Sequence, residues 1–241
     1  MTPVVVVDAG AVPPRRNPET GLTVRATLGP ATGFDALEQA VLELPGGRSE
    51  PVAIGEVEET LYVLEGAGTI EVGATAHELE PDAGIYLPRA SRFVLENTGP
   101  GTLRLLAVRI PDPSPGPPAP AAVRRLTDQP SQPATASRAF RVVAGPETGL
   151  RSATQFVGEI PVGRAPDHFH TYDEAIYVLS GEGVVHAGGV ARPVSPGSCI
   201  QLPARTVHCL ENTGQGPLRV LGVFRPAGSP ASAFYPDGTP A

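Results

Sequence analysis

Short apolar runs separated by turn residues recur along nearly the whole chain. Residues 3–7 form a β-branched run, and residues 21–28, 61–64, 69–72, 85–87, 93–95 and 103–110 are further candidate strands. β-Branched and aromatic side chains suit a pleated, half-buried surface. Runs spaced by roughly eight to twelve residues with Gly, Pro and Asn between them predict an all-β sandwich or barrel. Residues 34–44 are ambiguous, because their propensity also fits a short helix.

A repeat resolves that ambiguity. Gly29-Pro30-Ala31-Thr32-Gly33 matches Gly145-Pro146-Glu147-Thr148-Gly149, and Leu44-Pro45-Gly46-Gly47-Arg48 matches Ile160-Pro161-Val162-Gly163-Arg164, both 116 residues on. Past a one-residue gap the offset becomes 115. There Glu59-Thr60-Leu61-Tyr62 matches Glu174-Ala175-Ile176-Tyr177, and Glu96-Asn97-Thr98-Gly99 matches Glu211-Asn212-Thr213-Gly214. A match sustained at one offset means two copies of one domain. The counterpart of residues 34–44 is 150–160, where Thr154, Phe156, Gly158 and Ile160 alternate with Gln155, Val157 and Glu159. Period-two alternation marks a strand, so both segments are read as strands. The predicted plan is an N-terminal domain over 1–110, a linker over 111–137 and a C-terminal domain over 138–241. Prolines crowd residues 111–120, which cannot sit inside a sheet and predict an extended, partly polyproline II spacer.

Composition narrows the chemistry. Glycine and proline number 28 and 29 of 241 residues, in keeping with many short strands and tight turns. Net charge is −7, and no basic patch carries interleaved aromatics, so nucleic acid is not an expected partner. Arg124-Arg125 reads as a solvated pair. All 18 basic residues are arginine. Without lysine, Schiff-base chemistry and the phosphate-loop lysine are excluded. Cys199 and Cys209 are too few for a disulfide scaffold and read as small buried hydrophobes. The N-terminus lacks a basic region followed by a long apolar core, and no run reaches membrane-spanning length. The expectation is a soluble, cytoplasmic protein.

Five histidines occur, and three of them gather in one constellation. His168 and His170 share a face of an extended strand, because alternate side chains point the same way. Glu174 keeps that parity, and His208 follows later. Three imidazoles and a carboxylate suit one divalent transition metal: Fe, Mn, Ni, Cu or Zn. The ligating imidazoles must be neutral, so affinity is expected to fall at acid pH. Each should donate its other N–H to an acceptor. His77 and His186 fall near predicted hairpin turns and read as surface residues.

The pattern around these residues resembles a known family. Gly163, His168-x-His170, three residues, Glu174, six residues and Gly181 look like the first cupin motif. Gly197, five residues, Pro203, His208, three residues and Asn212 look like the second. Two departures occur: the Gly163–His168 gap is one residue short, and Arg205 stands where the family usually has glycine. Neither touches a ligand position. The resemblance implies two tandem jelly-roll barrels with His168, His170, Glu174 and His208 as metal ligands in the second. In the first copy the repeat aligns His168 with Ala53, His170 with Gly55 and His208 with Phe93, leaving only Glu59 for Glu174. That copy is expected to be metal-free and to shield edge strands of the other.

Three histidines and a glutamate leave positions open on a five- or six-coordinate metal, as a reactive site requires. The expected function is a metal-dependent enzyme acting on a small bidentate oxygen ligand such as an enediol, a β-diketone or a 2-hydroxy acid. Resemblance points to dioxygenation first. Isomerisation, polyketide cyclisation, decarboxylation and hydrolysis are the alternatives, beside a non-catalytic small-molecule binder. Ureidoglycine aminohydrolase shares the domain plan but has a different ligand order. Gln155, Gln201 and Arg205 are the candidates for contacting substrate. A homodimer through domain faces is compatible with this plan.

Overall fold

The computed structural model describes residues 3–135 and 137–241. Met1, Thr2 and Ala136, which belong to the N-terminal and linker segments read above, lie outside the described residues. The chain is all-β, with short 3-10 turns among its strands. Two seven-stranded antiparallel sheets dominate. One runs Ala122–Arg125, Ala83–Leu87, Glu58–Glu65, Leu103–Ile110, Glu38–Leu44, Thr23–Leu28 and Arg15–Arg16. The other runs Val5–Asp8, Ser198–Leu202, Asp173–Ser180, Leu218–Arg225, Thr154–Ile160, Ala139–Ala144 and Gln132–Pro133. A smaller sheet closes each into a barrel. Arg92–Asn97 and Gly68–Val72 are central in the first small sheet, and His208–Asn212 and Gly183–Ala187 in the second. Of the ambiguous segment 34–44, Glu38–Leu44 is a strand, as the repeat required, and residues 34–37 lead into it outside the sheet.

Alternation sorts the side chains into separate cores. In Asp173–Ser180, Ile176 and Val178 point into the second barrel, where they meet Val185, Leu210 and Val220. Ala175 and Tyr177 point the other way and join Tyr62, Val108 and Val143 in a core shared by both domains. Leu61 and Val63 fill the first barrel with Ile70 and Leu95. The central strands are therefore buried on both faces, which is why Glu58–Glu65 reads as a nearly continuous apolar run. Polar links cross the shared interface too. Tyr86 donates to Glu58 Oε1 at 2.8 Å, and Ser152 of the second domain donates to the other carboxylate oxygen. Arg219 pairs with Asp82 at 3.0 Å.

The outermost strands are exchanged between the domains. Val5–Asp8 begins the first copy but pairs with Ser198–Leu202 of the second, with Val5 opposite Gln201. Ala122–Arg125 precedes the second copy but pairs with Ala83–Leu87 of the first, with Ala83 opposite Arg125. Each exchanged strand is followed by one 3-10 turn, Ala9–Ala11 or Leu126–Asp128, so the exchange is itself part of the repeat. Each caps an edge that would otherwise offer unpaired backbone groups. Residues 111–120 lie outside every strand, but the rest of the 111–137 linker does not stay extended. Its prolines end at Pro120, backbone donors return, and Ala122–Arg125 and Gln132–Pro133 enter sheets. Arg124 and Arg125 are thus strand residues, exposed as expected, with Arg125 2.7 Å from Glu80.

Candidate metal centre

The second barrel brings His168, His170 and His208 together, with one ligating nitrogen from each lying within 4.8 Å of the others. All three residues are buried. His168 and His208 stand directly opposite each other: the His168 N–H donates to the His208 carbonyl at 3.0 Å, and the return bond is 2.8 Å. Paired residues send their side chains to the same face. His170 lies two residues on and keeps that face. The intervening Phe169 points away and stacks on Phe234, with ring centroids 5.6 Å apart.

Backbone carbonyls fix the tautomer of each ring. His168 Nδ1 is 3.0 Å from the Pro166 carbonyl and His208 Nδ1 is 2.8 Å from the Thr206 carbonyl. His170 Nδ1 is 2.8 Å from the Ser232 carbonyl. A carbonyl oxygen only accepts, so each Nδ1 must carry the proton, and each Nε2 keeps its lone pair for a metal. No Nε2 of the three has a hydrogen-bond partner among the described residues. Tyr172 steadies His170 further. Its ring stacks on the imidazole at 4.7 Å, its hydroxyl lies 2.8 Å from Nδ1, and it donates to the Ser229 carbonyl at 3.2 Å. The C-terminal segment thus takes part in the site, a role that its Gly/Pro/Ser composition did not announce.

Burial keeps the rings neutral. It lowers His168, takes His170 down to about 4 and takes His208 to about 3, where the neighbouring His168 charge adds to the effect. The three imidazoles are therefore neutral, and so ready as ligands, at neutral pH. Glu174, second residue of Asp173–Ser180, is buried and lines the same cavity, but its carboxylate stands outside the 4.8 Å cluster. Burial raises it from 4.5 to about 7, and Arg138 opposes that rise. Gly222 makes room for it: a Cβ there would meet the Phe156 ring and come within 3.1 Å of Glu174 Oε1. The first copy has Ala107 and Ala40 at those two positions.

The cavity holds about 70 Å³ and is lined by the three histidines, Glu174 and Arg138 on its polar side, and by Phe140, Phe156, Ile176 and Leu210 on its apolar side. Its polar groups fit a divalent transition metal. Three nitrogens with their lone pairs freed, beside a carboxylate with no protein partner among the described residues, are a borderline-hard donor set.

The glutamines are placed elsewhere. Gln155 faces the first domain, where its amide lies against Gly84 and both polar atoms lack a partner among the described residues. Gln201 also faces the first domain. Its amide donates to the carbonyls of Pro3 at 2.9 Å and Thr32 at 3.3 Å, and the Thr32 hydroxyl donates to its oxygen at 2.7 Å. Neither lines the cavity, because alternation turns both away from the barrel. Arg205 has φ +63° and its N–H donates to the His170 carbonyl at 2.7 Å, so the left-handed turn that favours glycine is present with an arginine in it. Its side chain borders an outer groove instead. Cys199 and Cys209 are free and buried.

Among the described residues the first copy has no such cluster. Phe93, opposite Val52, fills the place of His208, and Phe93 is buried in the first barrel core. The pairing corrects one alignment: His168 corresponds to Val52 rather than Ala53. The one-residue gap falls after His168, since Gly55 and His170 make equivalent bonds to the N–H groups of Ala90 and Arg205. Glu59 survives, buried beside Arg109 at 3.7 Å.

Comparison with known proteins agrees with this architecture. No curated protein sequence matches the chain. Among solved structures, a putative glyoxylate-induced protein from Pseudomonas aeruginosa is 20% identical, with 91% of this chain and 88% of that one aligned at a TM-score of 0.79. Protein Ylba from E. coli is 14% identical, with 93% and 91% aligned at 0.77. A variant oxalate decarboxylase from Bacillus subtilis is 14% identical, with 93% and 78% aligned at 0.74. At these identities the likeness is one of fold. The cupin domain model, however, matches twice, over residues 40–109 and 156–224, and together these cover more than half of the chain. The protein belongs to the cupin family, as a bicupin whose histidine triad lies in the second domain.

Proposed function

We propose that the second domain is a metal-dependent enzyme site acting on a small oxygen-chelating molecule. One divalent transition metal would be held by His168, His170 and His208, with Glu174 as the fourth ligand. The observation that carries the reading is the triple lock of Nδ1 protons on backbone carbonyls. It engages three backbone carbonyls, two from loops of the barrel and one from the C-terminal segment, and leaves three convergent nitrogens with no protein partner among the described residues. A core that merely stores histidines has no need of that convergence. The metal, when bound, supplies Lewis acidity toward a chelating oxygen pair. The residues do the rest. The Phe140, Phe156 and Ile176 walls exclude water, and Glu174 completes the donor set from the polar side of the cavity.

Cavity size bears on the substrate. About 70 Å³ is far below the roughly 300–1,000 Å³ of pockets for drug-sized ligands. Compact chelators of the 2-hydroxy-acid or enediol kind fit that space better than flavonoid-sized ones. Dioxygenation is the favoured reaction if the resident metal is iron, nickel or copper. With zinc or manganese, a non-oxidative isomerisation, decarboxylation or hydrolysis takes its place. Elemental analysis of untagged protein, followed by oxygen uptake with small chelators, tests the reading. About one equivalent of iron, nickel or copper with substrate-dependent uptake supports the dioxygenase. Zinc or manganese without uptake supports the non-oxidative form. Absence of metal, with no affinity on adding it back, overturns both.

A further inference from the structure

Arg138 immediately precedes the strand Ala139–Ala144 and lines the same small cavity as the three histidines and Glu174. Its Nη2 donates to the Leu210 carbonyl at 2.8 Å. Its Nε is buried and has no partner, and no carboxylate lies within ion-pair distance of it among the described residues. The other arginines without an ion pair are exposed or, like Arg89 and Arg141, bond carbonyls elsewhere, whereas Arg138 is half-buried and is the arginine that lines the histidine cavity. A guanidinium stays charged even where burial lowers its pKa, as it does here. A half-buried, under-partnered cation is unfavourable unless an anion joins it.

Charge in the cavity points the same way. A divalent metal and Arg138 together outweigh the single negative charge available to Glu174. The occupied site is therefore net positive and favours an anionic chelator over a neutral one. A planar guanidinium fork also matches the two oxygens of a carboxylate. The repeat supplies an independent comparison. The position equivalent to Arg138 in the first copy is Leu22, buried in that barrel's core, and among the described residues that copy has no histidine cluster. The arginine and the ligands occur together in one copy and are missing together from the other.

We propose that Arg138 is the carboxylate anchor of the metal cavity, so that the substrate is a small oxygen chelator bearing a carboxylate, of the 2-hydroxy- or 2-oxo-acid class. The chelating end meets the metal ligands, and the carboxylate is held at the Arg138 side. This deepens the functional reading above and rests on it for the metal, although the anchor itself is a property of the protein alone.

The test is calorimetric binding of glycolate and its neutral isostere glycolamide. Wild type, Arg138→Gln and Arg138→Lys are compared, each metal-loaded and metal-free, with metal content measured in parallel. Wild type is expected to prefer glycolate by about tenfold or more, as a charged hydrogen-bond pair implies. Arg138→Gln should abolish the preference while keeping the metal stoichiometry of wild type, and Arg138→Lys should retain part of it. Equal affinity for the two probes in wild type, or an undiminished preference in Arg138→Gln, overturns the anchor. If no form binds metal but the metal-free protein still prefers glycolate through Arg138, the anchor stands and the metal reading falls. If metal binds normally and glycolate does not, the anchor falls and the metal reading stands.

Discussion

His168 and His208 exchange both backbone hydrogen bonds, at 3.0 and 2.8 Å, and so sit opposite each other across two segments of one barrel. Their imidazoles are brought together by the chain's own ladder, not by the ion they would share. Residues 40 positions apart in sequence thereby present neighbouring rings, with centroids 4.7 Å apart.

That arrangement predicts how the ligands respond to substitution. His168→Ala and His208→Ala should each lower bound metal from about one equivalent to less than a tenth, since each removes one of only four donors. The backbone pair does not depend on the side chains. Hydrogen exchange at the amides of residues 168 and 208 should therefore stay slow in both variants. Rapid exchange there would mean that the histidines hold the strands together, contrary to the geometry.

Glu59 gives a pH prediction in the domain without histidines. Burial raises its carboxyl from 4.5 to about 7, with Arg109 opposing. Between those values the folded state binds a proton that the unfolded state has released, so stability from this group is present below pH 4.5 and lost as pH rises through 7. Glu59→Gln removes the titration, and Arg109 keeps its bond to the Ile54 carbonyl at 2.8 Å. The variant should match wild type near pH 4 and exceed it above pH 7 by on the order of 2–3 kcal/mol. Chemical denaturation at the two pH values measures this.

Gln201 separates an interface role from a substrate role. Its three hydrogen bonds tie Pro3 and Thr32 to the second domain. Gln201→Ala should cost roughly 1–3 kcal/mol of stability, because it removes three partly buried hydrogen bonds and the volume of a fully buried side chain. Metal content and glycolate binding should be unchanged. A loss of ligand affinity at constant stability would return Gln201 to the site.

The exchanged strands predict the behaviour of a nicked chain. A protease site placed between Pro111 and Pro120 should be cut readily, since this stretch lies outside every strand. The two fragments should nevertheless migrate together on native size exclusion and separate only in denaturant. Val5–Asp8 still pairs with one fragment and Ala122–Arg125 with the other. Separation under native conditions would show that the exchange contributes little to cohesion.

Much of this was legible in the chain. Alternation gave the strands, the offset gave two copies, and the His-x-His spacing brought out the triad that the fold assembles. What escaped had a common physical cause: it depends on which face a strand turns toward a partner that sequence does not show. Gln155 and Gln201 look anomalous among apolar neighbours in either case, and only packing reveals that they face the other domain. The carbonyls of Pro166, Thr206 and Ser232 have no sequence signature at all. Arg138 left a faint signal, since the repeat sets it against Leu22, an exchange of charge for aliphatic volume at one position. The strand at Ala122–Arg125 was hidden by the prolines before it.

The crossed-over strands also bear on how the protein is made. Val5 must find Gln201, 196 residues later. At about 5–20 residues per second of synthesis, its partner emerges roughly ten to forty seconds after it. During that interval Val4-Val5-Val6-Val7 is a sticky, unpartnered segment, of the kind that recruits neighbouring nascent chains. The first copy also has an open edge until residue 125 has been translated. A strand made early is thus among the last to be docked, and the closure of this sheet edge waits on the completion of the second half.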